Sequence, residues 1–365
     1  MTMVDQPART DGVALLRAEV RALRAYRLAQ PPDAVRLHQN EAPDDWPDAV
    51  KREVAQQVVA APWHRYPAAR AEAVCAALAR LQGTSAAMVV PTAGSNEALW
   101  ALFAAYAAGG TVVLATPTYS MAKTLATVAG ARVVEVPLGA GFALDADAVL
   151  RAAHAYRAEL IYLVSPNNPT GNLLAPEAVH AVIAGAPGAV AIDEAYWEFA
   201  SVSHLDAVAR WPHVLVVRTF SKAMGGAGLR VGWITAAPEV AAELHKVLPP
   251  YSLNVFAQIA VPVLVAHHAV ARARVAGVVA ERTRVAGALA ALGLVVYPSE
   301  TNFLLFEPGR PPGAVWQALA ERGVLVRDVS RVAGLERCLR VSIGRPADND
   351  RFLDALQDVL GARLP

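Results

Sequence analysis

The chain has 365 residues, 55% of them hydrophobic and only 18% charged, so it can bury a large core and is not disordered as a whole. Its 33 basic and 32 acidic side chains leave a net charge of +1 with no concentrated basic stripe, which argues against a nucleic-acid binder. Cys75 and Cys338 lie far apart with no zinc-like spacing, so both are expected to be free thiols in a reducing compartment, and no metal site is expected.

Leu15, Leu16, Val20 and Leu23 fall at helical spacing and predict a short amphipathic helix over residues 13–29. Asp5, Asp11, Glu19 and several arginines interrupt the first thirty residues, so no signal-peptide core is read there. Pro31-Pro32 then opens an extended arm reaching Pro43, too poor in apolar residues to fold alone, which is expected to lie on the body or on a partner subunit. Helices are predicted over residues 47–60 and 70–82, the second closed by Gly83.

From there short β-branched runs at residues 87–90, 111–115, 132–136, 160–164, 189–192, 214–217 and 231–235 alternate with helical stretches such as 97–108, 121–129 and 175–184. Runs this short, with little alternation, suit strands covered by helices on both faces, which gives an α/β fold with a mostly parallel seven-stranded sheet. The segment 217–231 is glycine-rich and too short for a crossover helix, so it is expected to bring Lys222 into the crevice before the next strand enters antiparallel. Residues 238–289 are helical in pattern with a break at Pro249-Pro250-Tyr251, and a long helix near residues 260–290 is expected to link two lobes. Residues 255–270 come nearest to a membrane span but contain Gln258 and His267-His268 and are too short. A soluble cytoplasmic protein is therefore expected.

A smaller C-terminal α+β domain follows: strands 294–297 and 303–306, helix 312–322, strands 324–326 and 338–342, and helix 349–360, read as two β-α-β-type pieces. The chain divides on this basis into an N-terminal helix and arm (1–45), a large α/β domain (46–255), and a linking helix with the small domain (256–365). No internal repeat is visible.

Four polar runs sit at the ends of predicted strands. Pro91-Thr92-Ala93-Gly94-Ser95-Asn96-Glu97 opens a helix and leaves backbone N–H groups free, which suits a phosphate, although an ordinary helix cap reads the same way. Asn168, in Asn-Pro-Thr-Gly, can hydrogen-bond a ligand or simply build a turn. Asp193 ends an apolar strand where open α/β sheets bind ligands, and its carboxylate could hold a protonated ring nitrogen. Lys222 follows a β-branched strand beside Ser221, with Arg230 eight residues on across glycines. Its amine can form a Schiff base with an aldehyde, while the Ser221 hydroxyl and the Arg230 fork suit one phosphate. Together these are the requirements of pyridoxal 5'-phosphate.

With these runs the chain resembles a fold-type I pyridoxal-phosphate enzyme of the aspartate aminotransferase superfamily, and within it the histidinol-phosphate aminotransferase family. The resemblance covers nearly the whole chain: Asn40-Glu41-Ala42-Pro43, His64-Arg65-Tyr66-Pro67, Gly94-Ser95-Asn96-Glu97, Pro117-Thr118-Tyr119, the run from Ser165 to Gly171, Asp193-Glu194-Ala195-Tyr196, Ser221-Lys222, Gly228-Leu229-Arg230, Arg327-Asp328, and the run from Cys338 to Gly344. It implies that Lys222 is the Schiff-base lysine and proton carrier, with Asp193 on the pyridine nitrogen and Asn168 and Tyr196 on the phenolic oxygen. Tyr119 would stack on the ring. Ser95, Asn96, Ser221 and Arg230 would hold the phosphate, joined by Tyr66 from the other subunit of a homodimer. Arg340 would clamp a glutamate carboxylate, Arg327 the substrate phosphate, and Tyr26 would line the pocket. Asn96 and Ala68 stand where the family commonly has aspartates. The first change removes a negative charge beside the phosphate, and the second could loosen subunit contacts.

The implied reaction is reversible amino transfer between L-histidinol phosphate and 2-oxoglutarate, giving imidazole-acetol phosphate and L-glutamate, a step of histidine biosynthesis. Three other readings stand beside it. An aromatic amino-acid aminotransferase or other fold-type I enzyme, such as a decarboxylase, would share most of these residues and differ in its amino donors. A regulatory protein on the same fold would be expected to carry a DNA-binding module, and none is seen before or after the core. A nucleotide-binding α/β protein would show Gly-x-Gly-x-x-Gly or a Walker-type lysine, and neither is present.

Overall fold

Runs such as Leu160-Ile161-Tyr162-Leu163-Val164 offer no polar face to water, so they are stable as strands only between two layers of helix. The computed structural model describes residues 12–25, 31 and 33–361. The chain begins with α1 (Ala18–Ala22), β1 (Val35–Arg36), α2 (Asp48–Ala60) and α3 (Glu72–Gln82). It continues through β2 (Val89–Thr92), α4 (Ser95–Ala107), β3 (Thr111–Thr116), α5 (Ser120–Ala129), β4 (Arg132–Pro137) and α6 (Ala146–Ala155). Next come β5 (Leu160–Val164), α7 (Pro176–Gly185), β6 (Ala189–Asp193), α8 (Ala207–Arg210), β7 (Val214–Thr219) and β8 (Gly232–Thr235).

These strands form one seven-stranded sheet in the order β2-β8-β7-β6-β5-β3-β4. Only β8 runs against its neighbours; the other pairings are parallel. Successive residues alternate between two cores. Leu160, Tyr162 and Val164 pack with α4 and α5, whereas Ile161 and Leu163 pack with α6 and α7. The sheet is of the doubly covered kind that the sequence predicts.

After it come α9 (Pro238–Leu244), α10 (Val255–Ala266), α11 (His268–Ala291), β9 (Val295–Val296), β10 (Phe303–Glu307), α12 (Pro312–Glu321), β11 (Val324–Leu325), β12 (Arg327–Asp328), β13 (Leu339–Ser342) and α13 (Pro346–Gly361). Four of these strands make an antiparallel sheet in the order β12-β13-β10-β9, covered by α11, α12 and α13.

Three expectations need correction. The single helix near residues 260–290 is two helices, α10 and α11, bent by 73° at His267. Val261 and Leu264 of α10 belong to the core under α2 and α3, whereas Val278, Val285 and Leu289 of α11 belong to the core of the small sheet. A straight helix could not serve both. The small sheet also contains no β-α-β unit: β11, after α12, pairs in parallel with β1 of the arm, Val324 opposite Val35, instead of joining β10. Finally, the helix expected over residues 13–29 amounts to α1 alone among the described residues. Val13, Leu15 and Leu16 before it are exposed, so that part of the apolar stripe gains no burial to hold a helix. No single helix among the described residues is long and apolar enough to cross a membrane.

Candidate active site

The topology gathers polar residues along one edge of the large sheet. Strands β3 and β5 are neighbours, yet the chain leaves β3 towards β4 and leaves β5 towards β6, so a crevice opens at their C-terminal ends. Tyr119 follows β3, Asn168 follows β5, Asp193 ends β6, and Lys222 follows β7. Arg230 precedes β8, and Ser95 and Asn96 begin α4 just after β2. The arm crosses this edge: Leu37 N–H donates to Leu325 O, and Ser342 N–H donates to Leu37 O.

The chain has four lysines. Lys51, Lys123 and Lys246 are paired on the surface with Asp45 and Asp48, Glu135, and Glu243 respectively. Lys222 is the one that turns inward. Its Nζ donates to Gln39 O at 3.1 Å and lies 5.8 Å from the centre of the Tyr196 ring. Removal from water, reinforced by Arg340, lowers its pKa from 10.5 to about 8. A neutral amine is therefore accessible near physiological pH.

Asp193 is 3% exposed. Its Oδ2 accepts from Tyr162 Oη at 2.8 Å and its Oδ1 from Ala195 N–H at 3.0 Å. Burial pushes its pKa up from 3.8 to about 6, helped by Glu194 and opposed by both hydrogen bonds and by Lys222. Such a carboxylate suits a protonated ring nitrogen, because a cationic partner would offset the burial cost. Glu194, the next residue, takes a different partner, accepting from Arg218 Nη2 at 2.7 Å in an ion pair whose side chains are each 1% exposed. The Arg218 guanidinium lies over Trp197 at 3.9 Å, so the strand end is rigid where Asp193 emerges.

The anion cradle rests on two close approaches. Gly94 caps α4 at φ +89°, and a Cβ there would run into the Arg230 guanidinium. A Cβ at Gly232 would lie 2.6 Å from the carbonyl carbon of Gly94 and closer still to Ser95 N. Arg230 is itself left-handed at φ +55°, with Nη1 3.4 Å from Ser221 Oγ and 3.1 Å from Ala227 O. The start of a thirteen-residue helix, a hydroxyl and a guanidinium thus meet at one point, as a phosphate monoester requires. Gly94, not Ser95, holds the cap position, which leaves the Ser95 side chain available to a ligand.

The second half of the crevice comes from the small sheet. Arg340 on β13 donates to Asn168 Oδ1 at 2.6 Å and to His38 O at 2.9 Å, and stacks over Phe303 at 5.0 Å. Arg327 on β12 is directly opposite Arg340 in the ladder, so two guanidinium side chains share this part of the sheet. Arg337 is instead paired with Glu307 at the surface. Tyr119 donates to Asn96 Oδ1 at 3.0 Å, and Tyr196 Oη accepts from Asn40 Nδ2 at 2.9 Å, its pKa pushed up to about 12 by burial.

Within this chain Tyr66 stands apart from the cluster. It is 82% exposed on the loop between α2 and α3 and stacks on Tyr251 with centroids 4.7 Å apart. Tyr26 lies outside the described residues. Two residues of the site were given no role from the sequence. Tyr162 could have been given one, since a phenol inside an aliphatic buried strand needs a polar partner. Asn40 was read only as part of the Asn40-Glu41-Ala42-Pro43 motif, and nothing local gives its role: its partners are Tyr196 and Ser342, both remote in sequence.

Comparison with known proteins agrees with this geometry. A family model for aminotransferases of class I and II matches residues 32–356. The histidinol-phosphate aminotransferase of Deinococcus radiodurans is 35% identical over 97% of this chain and 99% of its own. Histidinol-phosphate aminotransferase 2 of Bordetella parapertussis is 37% identical over 99% of this chain and 100% of its own. The crystal structure of the Sinorhizobium meliloti histidinol-phosphate aminotransferase, in complex with pyridoxal-5'-phosphate, superposes with a TM-score of 0.86 at 25% identity, covering 95% of this chain and 98% of that one.

Proposed function

Because the chain belongs to the histidinol-phosphate aminotransferase family of the class I and II aminotransferases, we propose that it transfers an amino group reversibly between L-histidinol phosphate and 2-oxoglutarate, in histidine biosynthesis. The single observation that carries this reading is the inward-turned lysine: Lys222 is held between the Asp193 carboxylate and the Ser221–Arg230 anion cradle. The residues present fit pyridoxal 5'-phosphate, since the close approach of Gly94 to Arg230 and of Gly232 to Ser95 brings a guanidinium and the start of α4 together, a donor set that suits a phosphate. When bound, that cofactor supplies an electron sink for the pair left behind when a Cα proton departs.

Lys222 would hold the cofactor through Nζ and, once free, carry a proton at the same atom, its lowered pKa keeping a useful neutral fraction. Asp193 would hold the pyridine nitrogen, with Tyr162 and the Ala195 N–H fixing its carboxylate. Ser95, Asn96, Ser221 and Arg230 would bind the phosphate, Asn168 and Tyr196 the phenolic oxygen, and Tyr119 would cover the ring. Arg340 and Arg327 would receive the anionic ends of the substrates, and an arginine fork can take either a carboxylate or a phosphate. The substrate arginine Arg340 already bonds Asn168, so binding a substrate anion would be felt at a cofactor-binding residue.

The working unit in this reading is a homodimer in which Tyr66 of the partner subunit completes the phosphate site. The exposure of Tyr66 beside Trp63 and Val59, also exposed, supports it. Two free, buried cysteines support a reducing, cytoplasmic setting.

The test is an amino-donor panel with 2-oxoglutarate as acceptor, comparing histidinol phosphate, histidinol, histidine and phenylalanine. Histidinol phosphate should be preferred, and Arg327→Ala should lose most of that preference together with glutamate turnover. A wild-type enzyme that used phenylalanine equally well would make it an aromatic aminotransferase. A variant that kept the wild-type preference would move the phosphate site away from Arg327.

A further inference from the structure

The hydroxyl hydrogen of Tyr196 has no acceptor among the described residues. Tyr196 Oη accepts from Asn40 Nδ2, and its ring is held edge-on against Phe303 with centroids 5.3 Å apart. The amide's orientation is fixed by its other end. Ser342 Oγ accepts the Asn40 backbone N–H at 2.8 Å and lies 2.9 Å from Asn40 Oδ1. Having accepted there, the serine still has a hydrogen to donate, and Oδ1 takes it. Turning the amide round would strand that hydrogen and let Oδ1 capture the tyrosine's instead. Asn40 is also anchored through its carbonyl by Asn302 Nδ2 at 3.0 Å, and sits at φ +55°, which asparagine tolerates.

We propose that Asn40 is a positioning residue: by donating to Tyr196 Oη it turns the hydroxyl hydrogen of Tyr196 into the crevice, towards the cofactor's phenolic oxygen, and stabilises that oxygen as an anion. The proposal rests on the reading that Tyr196 faces the cofactor. A phenol that accepts a hydrogen bond is also a stronger donor, so the two bonds reinforce each other. The charged and titratable groups facing Tyr196 are Arg340, Tyr119, Asp193 and Lys222, and Asn40 carries no charge of its own. Its contribution is therefore direction, not field. The device spans the molecule, because Ser342 is on the small sheet, Tyr196 follows the large one, and Asn40 lies on the arm between them.

The experiment is a pH titration of the bound cofactor's visible absorbance in the holoenzyme, for Asn40→Gly, Asn40→Asp and Tyr196→Phe made alone, and for each Asn40 variant together with Tyr196→Phe. Glycine keeps the positive φ, so the fold is retained. Asn40→Gly should raise the midpoint by roughly half to one pH unit, the scale of one neutral hydrogen bond. Asn40→Asp, nearly isosteric, should raise it further, because its oxygen captures the tyrosine's hydrogen. With Tyr196→Phe present, most of each shift should vanish, since no hydrogen is left to aim. A merely structural Asn40 would make the isosteric variant the milder one and would move unfolding temperature but not the midpoint. Wild-type midpoints in both Asn40 variants, or equal shifts with and without the tyrosine hydroxyl, overturn the proposal. If Tyr196→Phe alone leaves the midpoint unmoved, the placement of Tyr196 against the cofactor is what fails, and the role of Asn40 fails with it.

Discussion

At the scale of single residues the site is built from groups held away from their preferred protonation state. Asp193 has its pKa raised from 3.8 to about 6, so the native state binds this proton more tightly than the unfolded chain. The cost of the buried carboxylate is absent below pH 3.8 and complete above about 6. Asp193→Asn should therefore stabilise the cofactor-free protein at pH 8 by about 1–3 kcal/mol, and by almost nothing near pH 4. Denaturant unfolding at the two pH values checks this, and equal effects at both would contradict it. The same variant should bind cofactor at least tenfold more weakly, through loss of a charge-assisted bond of roughly 1.5–3 kcal/mol. Lys222 gives the opposite sign: its pKa is lowered, only the neutral amine captures an aldehyde, and capture of cofactor by the apoprotein should accelerate with pH around a midpoint near 8. A capture rate flat from pH 7 to 9 would contradict that. Lys222, Asp193 and Arg230 were legible in the sequence because each ends a strand or opens the next, where a charged side chain has no packing reason to be. The bonding roles of Asn40 and Tyr162 were not, because their partners meet them only in the folded chain.

At the scale of elements, the cradle depends on how closely β8 passes the start of α4. Gly232→Ala would drive a methyl group into the backbone at Gly94 and Ser95. Overpacking of this kind costs about 1–3 kcal/mol, and cofactor affinity should fall tenfold or more as the helix start moves. Gly228→Ala, in the segment leading into β8 and with open space around it, should leave both stability and affinity near wild type. Cofactor titration of the two apoproteins tests the pair, and an unaffected Gly232→Ala would mean that the helix start does not position the phosphate. The large sheet was legible because each strand is a short aliphatic run whose residues divide between two helical layers. The small sheet was less so. Whether β11 joins β10 or the arm depends on β1, a two-residue strand with no pattern of its own. The bend at His267 was hidden as well, since α10 and α11 read as one long helix until the two cores they serve are known.

At the scale of the whole molecule, the proposed homodimer makes a prediction that no single subunit can satisfy. Subunits carrying Tyr66→Phe, mixed with subunits carrying Lys222→Ala, should form mixed dimers with one intact site and one doubly altered site, so each mixed dimer should have half the activity of a wild-type dimer. Confirmed subunit exchange without recovery would place Tyr66 in its own subunit's business alone. The most direct test of the chemistry is to reduce the cofactor-loaded protein with borohydride and map the pyridoxyl-labelled peptide. With four lysines in the chain the outcome is unambiguous. The label should fall on Lys222, and Lys222→Ala should take up none while the other three lysines remain. A label on Lys51, Lys123 or Lys246, or an unreduced cofactor that dialyses away, would contradict the assignment of this crevice as the active site.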